Sequence, residues 1–262
     1  MTKIAIILPV YEADNPLFFE KAVKSVLCQS VDFQLFICQD GKLSLPLNEL
    51  CQDFSKNKTI TLVKSKENKG LPTVLNRGIR LAIDENFEFI ARMDADDICE
   101  PDRLVKQLEY FRKHANLDVL GSNATLINEA GDIIGTKMVK SVVNFSDLKY
   151  NCEIVHPSVM FRSTFFEKFG YYDETLLKSQ DYELWLRASK NGAIIKNLSQ
   201  NLLKFRYESK LISRRKKEQW FNIKIKFQYL NILYFIPSII RHLFILICPT
   251  AILKWLLNKK VN

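Results

Sequence analysis

Apolar positions along the first hundred residues alternate between short continuous runs and helical stripes. Ile4 to Val10 is an unbroken apolar, β-branched run bounded by Pro9-Val10-Tyr11, the pattern of a strand buried on both faces. Pro16 then opens a stripe in which Leu17, Ala22, Val23, Val26 and Leu27 recur at helical spacing, predicting a helix to about Gln29. Strands are predicted over Phe33–Cys38, Thr59–Lys64 and Phe87–Met93, with a helix from Pro72 to about Asp84 before the last. Strands and helices in this βαβαβαβ order predict an α/β fold, a mostly parallel sheet covered by helices on both faces. In such sheets ligands bind outside the carboxyl ends of the strands. Here those ends are Tyr11-Glu12, Asp40-Gly41, Asn68-Lys69-Gly70 and Asp94 to Asp97, four polar clusters on one rim.

The pattern continues with a helix over about Asp102–Lys113 and a strand over Asp118–Ile127. A hairpin turn at Asn128-Glu129-Ala130-Gly131-Asp132 leads to a strand over Ile133–Lys137. Val155 to Arg162 reads as another strand, Ser163 as the cap of a helix ended by Gly170, and Asp181 as the opening of a helix from Tyr182 to Lys190. From Arg214-Arg215-Lys216-Lys217 onward the chain is a long helical stretch rich in Phe, Ile, Tyr and Trp.

Charge changes the picture only when it is divided along the chain. The net charge of +9 invites a nucleic-acid reading, yet residues 1–203 carry 25 Lys+Arg against 27 Asp+Glu, and residues 204–262 carry 13 against 2. All the excess lies in the tail, so the basic and acidic parts have separate tasks. The tail's apolar density suits lipid better than a polyanion, and nucleic acid is not expected as a partner. Six cysteines without Cys-x-x-Cys spacing fit reduced thiols in a cytoplasmic protein. The first apolar run is too short for a signal-peptide core, so the expectation is a part that is not exported.

The candidate chemistry is concentrated at Ile90-Ala91-Arg92-Met93-Asp94-Ala95-Asp96-Asp97. Three carboxylates leave a buried strand end within four residues, with Arg92 as their one cation in that strand. Like charges this close are stable only with a cation or strong donors among them. Hard oxygen ligands suit Mn²⁺ or Mg²⁺ held jointly with substrate phosphates, and so a nucleotide-diphosphate donor. The competing reading makes Asp96, Asp97 and Asp102 caps of the helix after Pro101. No Gly-x-Gly-x-x-Gly follows the first strand and no P-loop is present, which disfavours dinucleotide and P-loop sites.

Seven ordered segments resemble the family 2 glycosyltransferases of GT-A fold, a Rossmann-like architecture. They are Leu8-Pro9-Val10-Tyr11-Glu12, Ser25-Val26-Leu27-Cys28-Gln29-Ser30, Gln39-Asp40-Gly41, Asn68-Lys69-Gly70, Leu75-Asn76-Arg77-Gly78-Ile79, Ala91 to Asp97, and Ser179-Gln180-Asp181-Tyr182-Glu183-Leu184-Trp185-Leu186-Arg187. The resemblance implies an inverting transferase that uses a nucleotide-activated sugar, usually a UDP-sugar, with Mn²⁺ or Mg²⁺. It implies that Tyr11 stacks on the uracil, Asp40 accepts the base N–H, Asp94 contacts the ribose and Asp96 the metal. Pro9, Glu12 and Lys69 join the nucleotide-sugar set. Arg77 and Arg92 are candidates for diphosphate contacts or for structural pairing with Asp94 or Asp97. Asp97 is a second metal ligand or a group that orients one, and His156 a third candidate ligand or a satisfied structural group. Trp185 and Arg162 are expected on the acceptor side. The family usually has Glu-Asp where this chain has Gln180-Asp181; the retained Asp181 matches the catalytic base and fits equally as a helix cap.

These readings divide the chain into a GT-A domain at residues 1–207, with a nucleotide-sugar-binding half (1–100) and an acceptor-binding half (101–207), and a basic amphipathic helical tail at 208–262. Pro237, Arg241, His242, Pro249 and Lys254 interrupt the tail's apolar run through Trp255-Leu256-Leu257 to Lys259-Lys260, so it is expected to lie in a membrane interface rather than span the bilayer. Packing on the catalytic domain is the alternative. The expected place is the cytoplasmic face of a bacterial inner membrane, as a peripheral protein on anionic lipid. The resemblance is to enzymes of O-antigen, capsule and exopolysaccharide synthesis. It implies transfer from a UDP-sugar, UDP-galactose favoured, in β-1,3 linkage to undecaprenyl-diphosphate-linked GlcNAc. A glucosyltransferase of the same pathway and a nucleotidyltransferase with a similar acidic metal site are the alternatives.

Overall fold

The computed structural model describes residues 3–207 and 211–248. Its first half is built from β1 (Ile4–Tyr11), α1 (Pro16–Leu27), β2 (Phe33–Asp40), α2 (Leu45–Phe54), β3 (Ile60–Val63), α3 (Leu71–Asp84) and β4 (Phe89–Arg92). Strands β3, β2, β1 and β4 lie side by side in that order and all parallel. The unbroken apolar run of β1 follows from its central place. Ile4, Ile6, Leu8 and Val10 pack with α1 and α2 on one face, while Ala5 and Ile7 pack with α3 on the other. Helix α1 starts where Pro16 fixes φ, one residue after Asn15 accepts the Leu17 N–H at 2.9 Å.

The second half adds β5 (Ile98–Cys99), α4 (Arg103–Lys113), β6 (Val119–Ile127), β7 (Ile133–Lys137), β8 (Val142–Val143), α5 (Phe145–Leu148), β9 (Met160–Arg162), α6 (Thr164–Phe169), α7 (Gln180–Lys190) and β10 (Ile195–Arg206). The sheet runs β3-β2-β1-β4-β9-β6-β10-β5, with β7 beside β6 and β8 beside β10. Strand β9 is antiparallel to both β4 and β6, so the sheet is parallel in its first half and mixed beyond it. The expected strand from Val155 is corrected: His156–Ser158 is a turn of 3₁₀ helix, closed by Ser158 Oγ donating to the Val155 carbonyl at 2.7 Å. Pro157 has no N–H to give a ladder. Strand β10 and helix α2 had no counterpart in the sequence reading. In β10 the register slips between Leu198 and Leu203, so no simple period-two pattern runs through it.

The tail begins with two helices, α8 (Leu211–Tyr229) and α9 (Ile232–Ile247). Arg214 to Lys217 fall in α8, whereas Pro249, Lys254, Trp255, Leu256, Leu257, Lys259 and Lys260 lie outside the described residues. Ile225 of α8 enters the core cluster that holds Tyr182, Trp185 and Leu186 of α7. No helix among the described residues is long and apolar enough to cross a membrane.

Helix α3 owes its close approach to β1 and β2 to Gly78. A Cβ there would stand 2.7 Å from Cys38 Sγ and 2.9 Å from Ile7 Cγ2. Overpacking of this kind costs about 1–3 kcal/mol. Gly78→Ala is therefore expected to lower the unfolding free energy by that amount, read as a lower urea midpoint with an unchanged denaturant slope; an unshifted midpoint would mean that α3 adjusts without cost.

Candidate active site at the carboxyl rim of the sheet

Tyr11 and Asp40 end adjacent parallel strands and are register partners. The Tyr11 side chain is 45% exposed, and its backbone N–H is held by Asp14 Oδ2 at 2.9 Å. Asp40 is buried. Its two oxygens accept the backbone N–H groups of Lys69 (2.7 Å) and Gly70 (3.0 Å), which pins the loop that opens α3. Gly41 and Gly70 both take left-handed φ, and a Cβ on Gly41 would meet the Asn68 nitrogen at 2.8 Å. From α3, Arg77 donates to the Gln39 carbonyl at 2.5 Å, beside Asp40. Lys69 extends its ammonium to Glu67, Glu12 is exposed beside Tyr11, and Pro9 is buried two residues back in β1. The nucleotide-sugar residues expected on this rim are thus gathered at the ends of β1, β2 and α3.

The acidic run follows β4. Arg92 is buried, and its Nη1 lies 2.6 Å from Asp94 Oδ1. Burial disfavours its charge, but Asp94 and the more distant Tyr172 and Asp181 outweigh that and hold the guanidinium charged. Asp94, Asp96 and Asp97 each offer a carboxylate oxygen within 4.8 Å of the others, the one such group among the described residues. Asp97 is 1% exposed; its Oδ1 accepts the Arg206 N–H at 2.8 Å, and its Oδ2 has no hydrogen-bond partner. Burial, then Asp96 and Asp94, push its carboxyl well above the ordinary range. A buried carboxylate oxygen without a donor, between two further carboxylates, is what a hard divalent cation would complete, so Mn²⁺ or Mg²⁺ fits these residues.

Residues given no role in the sequence analysis hold this run in place. Arg103 is fully buried in α4 and donates to the Arg92 carbonyl (2.8 Å), the Val159 carbonyl (3.2 Å) and Gln107 Oε1 (3.1 Å). Arg206, at the end of β10, donates to the Asp96 carbonyl (2.8 Å) and the Asn128 carbonyl (2.8 Å) and stacks on the Phe18 ring. The Ser25–Gln29 segment acts on the far side: Ser25 Oγ accepts the Cys99 N–H, and Gln29 accepts the Leu104 N–H at the start of α4. Arg103 had a visible signal, a charge on the stripe of Leu104, Leu108 and Phe111; Arg206 had none.

Helix α7 brings Asp181 toward Arg92 from the other half of the chain. Asp181 is half-buried, and loss of solvent raises its carboxyl despite the Tyr182 N–H and the positive charge of Arg92. Ser179 occupies the N-cap position of α7 without a side-chain cap bond, and Asp181, in the first turn, accepts the Tyr182 N–H, so a helix-start role stands beside its approach to Arg92. Asn76 of α3 grips Tyr172 through its backbone carbonyl (2.8 Å) and N–H (3.0 Å), and the Tyr172 hydroxyl meets His156 Nε2 at 2.7 Å.

Three expectations are corrected. His156 lies outside the carboxylate group and is spent on Tyr172; burial and Arg92 hold it well below the usual imidazole range, hence neutral. Trp185 is fully buried, stacked on Phe161 and edge-on to His156, so it belongs to the core and not to an acceptor surface. Arg162 pairs in register with Phe89, at the opposite end of β4 from Asp94, where it stacks on Phe89 and Phe111.

A cation among the three carboxylates has a thermodynamic signature. A carboxyl with a raised folded-state pKa contributes stability below its unfolded pKa and loses it as pH rises through the folded one. Binding of Mn²⁺ to the ionised group reverses that loss, by about 3 kcal/mol at a hundredfold excess over Kd. Mn²⁺ is therefore expected to raise the unfolding temperature more at neutral than at mildly acidic pH. Asp96→Ala and Asp97→Asn should abolish the shift, and its survival in both would refute the site.

Comparison with known proteins places this geometry. The family model for glycosyl transferase family 2 matches residues 5–169. An uncharacterized glycosyltransferase of Methanocaldococcus jannaschii is 29% identical over 98% of this chain and 93% of its own. The UDP-Gal:α-D-GlcNAc-diphosphoundecaprenol β-1,3-galactosyltransferase of Escherichia coli is 26% identical over 99% of this chain and 97% of its own. Among solved structures, Staphylococcus aureus TarS 1–349 in complex with UDP-GlcNAc superposes with a TM-score of 0.69 at 16% identity, over 93% of this chain and 72% of that one. The Pyrobaculum calidifontis mannosyltransferase in complex with GDP-Man and Mn²⁺ gives 0.64 at 12% identity, over 92% and 69%. The fold is that of the GT-A glycosyltransferases, and the chain belongs to glycosyl transferase family 2.

Proposed function

We propose that the protein transfers a hexose, galactose in β-1,3 linkage, from a UDP-sugar to undecaprenyl-diphosphate-linked GlcNAc with inversion. The observation that carries this reading is the meeting of Asp181 from one half of the chain with the Arg92 and Asp94–Asp97 group from the other. The Escherichia coli relative, similar over nearly the whole of both chains, supports the donor and acceptor. The acceptor hydroxyl oxygen attacks the anomeric carbon, the bond from that carbon to the diphosphate oxygen breaks, and the hydroxyl proton passes to the Asp181 carboxylate. Tyr11 stacks on the uracil, Asp40 holds the loop beneath the nucleotide, and Arg77 and Arg92 supply positive charge to the diphosphate. Asp96 and Asp97 with Asp94 would hold Mn²⁺ or Mg²⁺, which when bound offsets the charge left on the departing UDP. Glucose is the second donor to consider, since hydroxyl recognition turns on rim loops.

The same reading places the enzyme on the cytoplasmic face of a bacterial inner membrane. Ile232, Ile236, Ile240, Phe244 and Ile247 of α9 are exposed at helical spacing, and Trp220 of α8 is also exposed. With the tail's excess of Lys and Arg, each worth about 1 kcal/mol near an anionic leaflet, they form a surface for lipid.

Incubation with a lipid-diphosphate GlcNAc acceptor, Mn²⁺ and, separately, UDP-Gal, UDP-Glc, UDP-GlcNAc and UDP-GalNAc should give a product mass for one added hexose, lost with EDTA. Product from none of them, with UDP still bound, would reject the acceptor. Asp181→Asn should lower kcat by roughly 10²–10⁴-fold. Because the base must be ionised, kcat should fall with falling pH at a pH above the ordinary carboxylate range, following the raised Asp181 carboxyl. Ile240→Asp with Phe244→Asp should abolish sedimentation with anionic vesicles, and retained sedimentation would count against the lipid surface.

A further inference from the structure

Helix α7 carries Asp181 on its first turn, where its carboxylate accepts the Tyr182 N–H. The cap residue Ser179 sits in the left-handed region and its side chain makes no capping hydrogen bond. The turn is also held from outside, by the Tyr182 hydroxyl donating to the Leu148 carbonyl at 2.6 Å and through Glu183. This carboxylate is 3% exposed and accepts Arg187 Nε at 2.8 Å and Nη2 at 3.1 Å. Arg187 in turn donates to the Phe169 and Tyr171 carbonyls, immediately before Tyr172. The remaining donor to Glu183 comes from the tail: the Tyr229 hydroxyl at the end of α8. Burial and Glu183 raise that phenol, so it stays protonated as a donor.

Two more contacts bind the same surfaces. Lys190 Nζ, at the last turn of α7, donates to the Tyr229 carbonyl at 3.2 Å. Lys226, fully buried one turn before Tyr229, lies 6.0 Å from the Tyr182 ring and donates to the Ser238 carbonyl of α9 at 3.0 Å. The neighbours of Asp181 on α7, Tyr182 and Glu183, therefore both rest against α8.

We infer that α8 belongs to the catalytic unit and that Tyr229 is a positioning residue, which sets the first turn of α7, and so Asp181, through Glu183. The inference rests on the reading of Asp181 as the base. It gives the tail a task in turnover separate from any contact with lipid.

The test uses the full-length protein, the donor that turns over, and three variants measured for kcat, donor KM, UDP affinity and unfolding temperature. Tyr229→Phe keeps the ring and removes the hydroxyl; it is expected to lower kcat about 3- to 10-fold, the size of an ordinary net hydrogen-bond contribution, with donor KM and UDP affinity within about twofold. Glu183→Gln should lower kcat at least as much. The double variant should match Glu183→Gln alone, because the two residues act through one bond. Wild-type kcat in Tyr229→Phe, or a loss that appears in donor KM or follows the unfolded fraction, would overturn the inference. Asp181→Asn separates the two failures. If it is inactive while Tyr229→Phe is normal, only the positioning role falls; if it turns over normally, the base reading falls and takes the positioning role with it.

Discussion

A guanidinium taken out of water needs carboxylates around it, and Arg92, 3% exposed at the end of β4, meets that need with Asp94 beside it and Asp181 farther off. The two acids come from opposite halves of the chain, so this one cation joins them. It does not balance them. Asp96 and Asp97 add further negative charge, and the two other arginines near the run, Arg103 and Arg206, direct their side chains mainly at backbone carbonyls. Those arginines fix the shape of the loop and leave its carboxylates in excess. A site with surplus carboxylate and an orphaned Asp97 oxygen fits a divalent cation.

The sheet was legible because its first half obeys simple periodicities. Ile4 to Val10 reads as a central strand, and Asp40 and Asp94 each stand where an apolar run stops. The rim residues could be read for the same reason: they follow strands whose ends are marked by Gly or Asp. Beyond Asp97 the local signal weakens. Strand β10 has a slipped register, and Pro157 turns an apparent strand into a 3₁₀ turn.

The misplaced residues share a physical cause. Trp185, His156 and Arg162 are types that often bind sugars or metals. Burial takes Trp185 and His156 into the core, and Arg162 goes to the far end of an antiparallel strand whose direction periodicity does not reveal. The support from Asn76, Ser25 and Gln29 was visible only as parts of motifs. The structure gives each a mechanical role, gripping Tyr172, the Cys99 N–H and the start of α4.

Strand β9 carries a consequence for motion. Hydrogen-bonded to β4 on one side and β6 on the other, it makes a single backbone ladder from β3 to β5. A ladder of that kind has no hinge along which its halves could swing shut on a substrate, as separate lobes do. Closure and sugar discrimination are left to the rim loops, which can vary in length and sequence without disturbing the sheet that carries them. One continuous frame can thus present its acids unchanged while exchanging the loops around them.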